Sequence, residues 1–188
     1  GQISPINTAC GQAGHKCKDV PTLTRVKGAN GYDAAGLAFG DRHACALLDD
    51  GAVVCWGRNN AGQLGTSGGD KDTPQSINLG AGRTATSIHA GGNYNCAILD
   101  DASVKCWGQN DEGQLGRGFT SSSENTPATI NSLGSGRTAV ALATAFSTVC
   151  ALLDDGSVKC WGDDSDGQLG NGGSDTDISL SLIHISEP

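Results

Sequence analysis

Apolar and polar positions follow one pattern three times along the chain. In residues 45–57, 96–108 and 150–162, two short apolar runs flank a turn made of two aspartates and a small residue. This arrangement predicts a β-hairpin with a three-residue loop. Leu47 and Leu48 are adjacent apolar residues and should point to opposite faces of their strand, so we expect the strand to be covered on both faces.

The position of the turn decides which cysteines face each other. If residues 49–51 form the loop, Cys45 lies directly opposite Cys55, and opposed Cα atoms about 4.5–5.5 Å apart are within disulfide range. The same counting pairs Cys96 with Cys106 and Cys150 with Cys160. Buried free thiols or a zinc site are the alternatives, but zinc ligands usually occur as closely spaced pairs such as Cys-x-x-Cys, and none is present. We therefore favour three cross-strand disulfides.

The last residue of such a loop adopts a left-handed backbone conformation, which glycine accepts without strain. Gly51 and Gly156 hold this position in the first and third copies, whereas the second copy has Ala102. A left-handed alanine costs about 1 kcal/mol, so we expect the middle turn to be the most strained of the three.

A tryptophan near the end of each hairpin and a Gly-Gln-Leu-Gly sequence after it also recur. Trp56, Trp107 and Trp161 are 51 and 54 residues apart. The second element occupies Gly62, Gln63, Leu64 and Gly65, then Gly113, Gln114, Leu115 and Gly116, then Gly167, Gln168, Leu169 and Gly170. A period near 50 residues predicts a propeller or solenoid array, and strands covered on both faces favour the propeller. The predicted fold class is all-β, a β-propeller, with the tryptophans as packing residues.

Each unit should consist of a first strand, the hairpin, a Gly-rich crossing and a last strand. The predicted first strands are 35–39, 86–90 and 140–145. The last strands should start near Thr73-Pro74 and Thr126-Pro127, because proline suits the first residue or the edge of a sheet. The predicted repeats are 34–84, 85–138 and 139–180.

The two ends of the chain do not match the repeat. Residues 1–33 are predicted to form an N-terminal segment or a partial blade. Cys10 and Cys17 suggest a fourth disulfide that closes a Gly-rich loop, and the alternatives are the worn end of a preceding repeat or a metal site with His15. Residues 181–188 form an atypical tail that resembles a translated sequencing-adapter read-through, and we hypothesise that it is an artefact.

Composition and charge narrow the class of protein. The 188 residues include 29 glycines but only three Trp, three Phe and two Tyr, which suits short strands joined by tight turns. The formal charge is −8 with no Lys/Arg run, which argues against a nucleic-acid partner. No apolar stretch is long enough to predict a membrane span. Eight cysteines, six of them in matched hairpin pairs, indicate an oxidising compartment, which we expect to be extracellular, periplasmic or at the cell surface.

The pattern H-x-C-A-L-L-D-D-G-x-V-x-C-W-G-x-N-x-x-G-Q-L-G at 43–65, with looser copies at 94–116 and 148–170, resembles the regulator-of-chromosome-condensation repeat. The resemblance implies a β-propeller, usually of seven blades, in which each blade is a four-stranded antiparallel sheet. The chain would then hold about three to three and a half blades. Its paired cysteines resemble the extracellular versions of the family. The architecture is also similar to that of beta-lactamase inhibitory protein II, which implies that the fold can act as a secreted protein-binding disc.

Three short patterns match known chemical motifs but favour structural roles. Residues 65–69 match G-x-S-x-G, yet they lie in a predicted loop and not at a strand-to-helix turn. Residues 80–85 resemble a dinucleotide fingerprint, but no helix is predicted to follow them. Residues 163–167 lack the ligand spacing of a calcium loop. We therefore predict no catalytic residues, no cofactor and no metal.

The loops that differ between repeats are the better functional candidates, because binding specificity is usually carried by loops on a rigid scaffold. They are 66–72, 117–125 and 171–177, and all three follow the same strand, so we expect them on one face. The predicted function is a non-catalytic scaffold that binds another protein. The resemblance implies one alternative, a guanine-nucleotide exchange factor for a small GTPase of the Ran type, and a propeller enzyme such as a lyase or hydrolase is a second alternative.

Overall fold

The structure is a computed structural model that describes residues 33–131 and 133–172, together with the backbone of residues 181–183. Cys10 and Cys17, for which a fourth disulfide is predicted, lie outside the described residues. Within the described residues the chain forms twelve β-strands and no helix. The strands form three four-stranded sheets, each of which we call a blade.

In every blade the strands pair antiparallel with their neighbours in chain order. Blade 1 contains β1 (Ala34–Phe39), β2 (His43–Leu48), β3 (Val53–Gly57) and β4 (Lys71–Ser76). Blade 2 contains β5 (Ala85–Ala90), β6 (Tyr94–Leu99), β7 (Val104–Asn110) and β8 (Ser121–Thr129). Blade 3 contains β9 (Ala139–Thr144), β10 (Thr148–Leu153), β11 (Val158–Gly162) and β12 (Ser181–Ile183). The predicted all-β fold class with four-stranded antiparallel blades is thereby confirmed.

The hairpins between the second and third strands have the register that the turn predicts. Cys45 lies opposite Cys55, and the two form a disulfide. Their Cα atoms are 4.1 Å apart, the short spacing typical of a non-hydrogen-bonded pair in an antiparallel sheet. The other two disulfides join Cys96 to Cys106 and Cys150 to Cys160, with Cα separations of 4.1 and 4.0 Å. Each hairpin is therefore closed by a covalent link between the middles of its two strands, three residues from the loop on either side.

The three turns contain the left-handed residue that the sequence predicts. Gly51 and Gly156 have φ angles of 80° and 83°. Ala102 has a φ of 62° and is the one residue other than glycine with a positive φ among the described residues. The second turn therefore carries the strain that its alanine implies.

The strands of the middle blade are covered on both faces because a blade lies on either side. All six residues of β6 are buried. One apolar layer, between blades 1 and 2, includes Leu64 and Trp107, and a second, between blades 2 and 3, includes Leu115 and Trp161. The first strands β1, β5 and β9 contact one another in succession, so they form the inner side of the array and the fourth strands form its outer edge.

The fourth strands depart from the sequence-based expectation. β4 begins at Lys71 and β8 at Ser121, so Pro74 and Pro127 lie inside edge strands and not at their first residues. Residues 121–125, which we expected to be loop, are strand because they pair with β7. In blade 3 the backbone of Ser181–Ile183 pairs with β11 at the place of the fourth strand. The artefactual origin of residues 181–188 stays a prediction.

Candidate interaction surface

Trp107 and Trp161 meet the Gly-Gln-Leu-Gly residues of the preceding blade at the two joints between blades, whereas Trp56 is partly exposed and packs against a cluster within blade 1. The indole Nε1 of Trp107 donates to the backbone oxygen of Gln63 at 3.1 Å, and Trp161 donates to Gln114 in the same way at 3.0 Å. All four of these side chains are fully buried. They hold one blade against the next, and none of them is available to a ligand on the surface.

A polar residue three positions after each tryptophan organises the turn that follows, a role that sequence reasoning missed. The Oδ1 atoms of Asn59, Asn110 and Asp164 accept the backbone N–H five residues later, at 2.9, 3.0 and 2.8 Å. The amide of Asn59 also donates to the backbone oxygens of Thr66 and Gly68, at 3.0 and 2.8 Å. The recurrence of a short polar residue in a fixed place was the signal that could have revealed this role.

Ion pairs tie the Gly-rich linkers to the next hairpin turn. The guanidinium of Arg83 lies 3.2 Å from the Asp100 carboxylate and 3.3 Å from that of Asp101. Arg137 makes the equivalent contacts with Asp154 and Asp155 at 3.5 and 3.3 Å. These side chains are about two-fifths exposed, so the pairs contribute little to stability and mainly orient the linker.

The loops that differ between blades lie at the end of the sheets opposite the hairpin turns, because each follows the third strand of its blade. Residues 66–70 and 117–120 are loops, whereas 71–72 and 121–125 belong to β4 and β8. Of the third variable segment, residues 173–177 lie outside the described residues.

A polar groove of about 320 Å³ separates the variable segments of blades 1 and 2. Its walls carry amide, hydroxyl and carboxylate groups, from Asn59, Asn60, Gly62, Thr66, Ser67, Gly68, Ser123, Glu124 and Asn125. The two walls approach closely at the floor, where a Cβ on Gly62 would lie 2.8 Å from the Cα of Asn125. We call this feature the loop groove, and it is a place where a partner could make many hydrogen bonds.

Arg117 fixes the blade 2 wall of the loop groove. Its side chain is only 10% exposed, and one Nη atom lies 3.2 Å from the carboxylate of Glu124. The other Nη donates to the backbone oxygens of Cys106 and Thr126 at 2.8 and 2.9 Å. Burial lowers the pKa of Arg117, and the Glu124 carboxylate acts in the opposite direction. The guanidinium thus joins the start of β8 to β7, so this wall is held in place.

The patterns that match chemical motifs are used structurally. Ser67 of the G-x-S-x-G match lies in the loop between β3 and β4, away from any strand-to-helix turn. Residues 80–85 form a linker that leads into a strand and not a helix. Residues 33–131 and 133–172 contain no group of three or more His, Cys, Asp or Glu side chains arranged to hold a metal ion. The described part of the chain also contains no helix long and apolar enough to cross a membrane.

The chain is similar in sequence to parts of much longer proteins. It is 30% identical over 166 residues to the E3 ubiquitin-protein ligase HERC2 of Homo sapiens, covering 86% of this chain and 3% of that protein. It is 36% identical over 147 residues to the ultraviolet-B receptor UVR8 of Arabidopsis thaliana, covering 77% of this chain and 32% of that protein. The chain therefore spans a third or less of the length of these relatives.

Solved structures share the fold. Human WBSCR16 superposes with a TM-score of 0.73 at 19% identity, covering 85% of this chain and 42% of that one. Prp20p from Saccharomyces cerevisiae, described with its binding to Gsp1p and histones, superposes with a TM-score of 0.67 at 24% identity, covering 78% and 37%. Models of the regulator of chromosome condensation (RCC1) repeat match residues 35–63, 85–114 and 140–168 and, in a second form, 50–98 and 101–151. The chain belongs to the RCC1 repeat family.

Proposed function

We propose that the chain is a non-catalytic scaffold whose loop groove and neighbouring variable segments bind another protein. One observation carries the proposal. Residues of the repeated pattern hold the blades together at both joints, whereas the segments that differ between blades 1 and 2 form much of the walls of an open polar groove at one end of the sheets. A rigid frame with variable loops at one end is typical of a binding module.

We also propose that the protein works in an oxidising compartment, either outside the cell, at its surface or in a periplasm. The three hairpin disulfides support this, because such bonds persist in oxidising compartments and are rare in the cytosol and nucleus. The relatives include ubiquitin ligases by name, but this chain spans only 3% of HERC2, so ligase activity is not carried over.

Site-specific photo-crosslinking tests the binding surface. A benzophenone amino acid at Ser67 or Ser123 places the probe on either wall of the loop groove, and the same probe at Asp49 lies in a hairpin turn at the other end of blade 1. We expect one defined protein adduct from both groove positions and none from Asp49. An adduct from Asp49 alone would move the binding surface to the hairpin turns and overturn the proposal.

A further inference from the structure

The outer edge of blade 2 differs from the outer edge of blade 1. β8 pairs with β7 on one side, and no strand among the described residues pairs with its other side. It has nine residues, compared with six in β4. The extra length lies before Thr126-Pro127, in residues 121–125, so blade 2 presents a longer unpaired edge than blade 1.

Residues 121–125 lack two of the features that usually protect an exposed strand, although their pairing with β7 is irregular. Short length, proline and lysine commonly prevent another strand from pairing with an edge. β4 has Lys71 at its first residue and Pro74 in its middle. Residues 121–125 contain no proline and no lysine, and Ser122, Ser123 and Asn125 are exposed. The unpaired backbone groups of this segment are therefore open to a further strand.

The segment is also held in an extended conformation before any partner arrives. Ser121 Oγ donates to Glu124 at 2.9 Å, and the amide of Asn110 reaches Ser121 Oγ at 3.3 Å. Arg117 links Glu124 to the backbone of β7, through its bond to the oxygen of Cys106. Neither of the residues that align with Arg117, Thr66 in blade 1 and Asn171 in blade 3, is an arginine. An edge ordered in advance loses less entropy on binding, which favours association.

The surroundings of the edge indicate the chemistry of the partner. One face of a strand added to β8 would lie beside the loop groove, whose walls offer amide and hydroxyl groups. The chain carries a formal charge of −8, which attracts cationic partners over a distance. We propose that residues 121–125 accept an extended, positively charged segment of a partner protein as an added β-strand. This inference rests on the proposed scaffold function and names the kind of protein segment it would bind.

Peptide binding measured by fluorescence anisotropy tests the strand addition. The probe is a labelled nine-residue peptide of Lys, Thr and Val in a non-repeating order. Two further versions carry N-methyl groups, one at the odd and one at the even positions. Because a strand pairs through alternate residues, we expect one version to bind at least about tenfold more weakly and the other to bind as the parent peptide does. Equal binding of the two versions would overturn the inference.

Variants locate the peptide on the protein. Ser122→Lys/Ser123→Lys places two cations on the β8 edge and should weaken binding by about tenfold or more. Thr73→Lys/Ser76→Lys places two cations on the edge of β4 and should leave binding within about twofold. Equal weakening by both variants would mean that the peptide binds through general charge attraction and not at the β8 edge, and it would overturn the inference.

The inference and the proposed function can fail separately. If no version of the peptide binds at concentrations up to about 1 mM, strand addition at β8 is wrong. If crosslinking at Ser67 still captures a defined protein, the scaffold function stands and its partner uses another mode. If Asp49 alone gives an adduct, the scaffold proposal itself fails.

Discussion

His43 and Asn95 form a buried hydrogen bond across the joint between blades 1 and 2. The Nε2 of His43 lies 2.9 Å from Oδ1 of Asn95, and the residues are 4% and 0% exposed. The Asn95 amide nitrogen donates to the backbone oxygen of Gln63, which orients its oxygen toward the histidine. Nε2 therefore carries the proton, and Nδ1 is buried with no hydrogen-bond partner among the described residues.

The joint between blades 2 and 3 has a different pair of residues at the positions of His43 and Asn95. Tyr94 aligns with His43, and Val149 aligns with Asn95. The Tyr94 hydroxyl is placed to donate to the backbone oxygens of Thr148 and Ala145, 2.8 and 3.0 Å away. The Tyr94 hydroxyl therefore bonds to the backbone of blade 3 directly. A polar side chain at the position aligned with Asn95 is not required, and that position is Val149.

The buried histidine predicts that stability decreases in mild acid. Burial lowers the pKa of His43 below its usual 6.5, while the bond to Asn95 and the charge of Asp41 act in the opposite direction. The unfolded chain then binds the proton more readily than the folded one. We expect the free energy of unfolding to fall as the pH decreases from about 6.5 toward the lowered folded-state pKa, measured by urea unfolding between about pH 5 and 7.5.

A swap of the joint residues is the control for this pH effect. His43→Tyr/Asn95→Val transfers the second joint's pair to the first and should flatten the pH dependence. Burial also lowers the pKa of His89, so both proteins should carry His89→Ala, the residue found at that place in blades 1 and 3. An equal slope in both proteins would show that His43 does not cause it.

Ala102 predicts a stabilising substitution. Ala102→Gly relieves a φ of 62°, and we expect the free energy of unfolding to rise by up to about 0.5 kcal/mol after the larger entropy of an unfolded glycine is included. Gly156→Ala is the reverse control, since a Cβ there meets no atom within 4 Å, and it should destabilise by a similar amount. A loss of stability in Ala102→Gly, measured by urea unfolding, would contradict the strain.

Asp164 predicts a second stabilising substitution. Its Oδ1 accepts the backbone N–H of Leu169 at 2.8 Å, but its Oδ2 is buried without a partner among the described residues. At the same place in blade 2, the amide nitrogen of Asn110 donates to the backbone oxygen of Phe119 at 2.9 Å. Asp164→Asn replaces the buried, unpartnered carboxylate oxygen with a neutral amide, and we expect a gain of about 1 kcal/mol.

The reverse substitution at the equivalent position of blade 2 should destabilise the protein. Asn110→Asp leaves the oxygen of Phe119 without its donor and places a carboxylate in a buried site, so it should destabilise by about 1–3 kcal/mol. Both variants can be compared by thermal and urea unfolding at neutral pH. A destabilised Asp164→Asn would mean that the carboxylate has a favourable partner.

The sequence predicted what depends on local spacing and missed what depends on contacts between blades. The Asp-Asp-Gly turn fixed the register of Cys45 and Cys55, because strand pairing next to a turn follows from counting. The acceptor of Trp107 could not be foreseen, since Gln63 is distant in sequence and offers a backbone oxygen that no residue type marks. Residues 121–125 read as loop because serine and asparagine have low strand propensity, but pairing with β7 and the bonds of Arg117 override that preference.

Unequal burial predicts the order in which the disulfides are reduced. Cys45 and Cys96 are fully buried, whereas Cys150 is partly exposed. A reducing thiolate must reach a sulfur atom to attack it, so we expect Cys150–Cys160 to open first. Timed reduction, iodoacetamide labelling and peptide mass spectrometry follow each pair. Opening of Cys45–Cys55 or Cys96–Cys106 before Cys150–Cys160 would contradict the arrangement of blades. Loss of each bond should then cost about 2–3 kcal/mol of unfolding free energy.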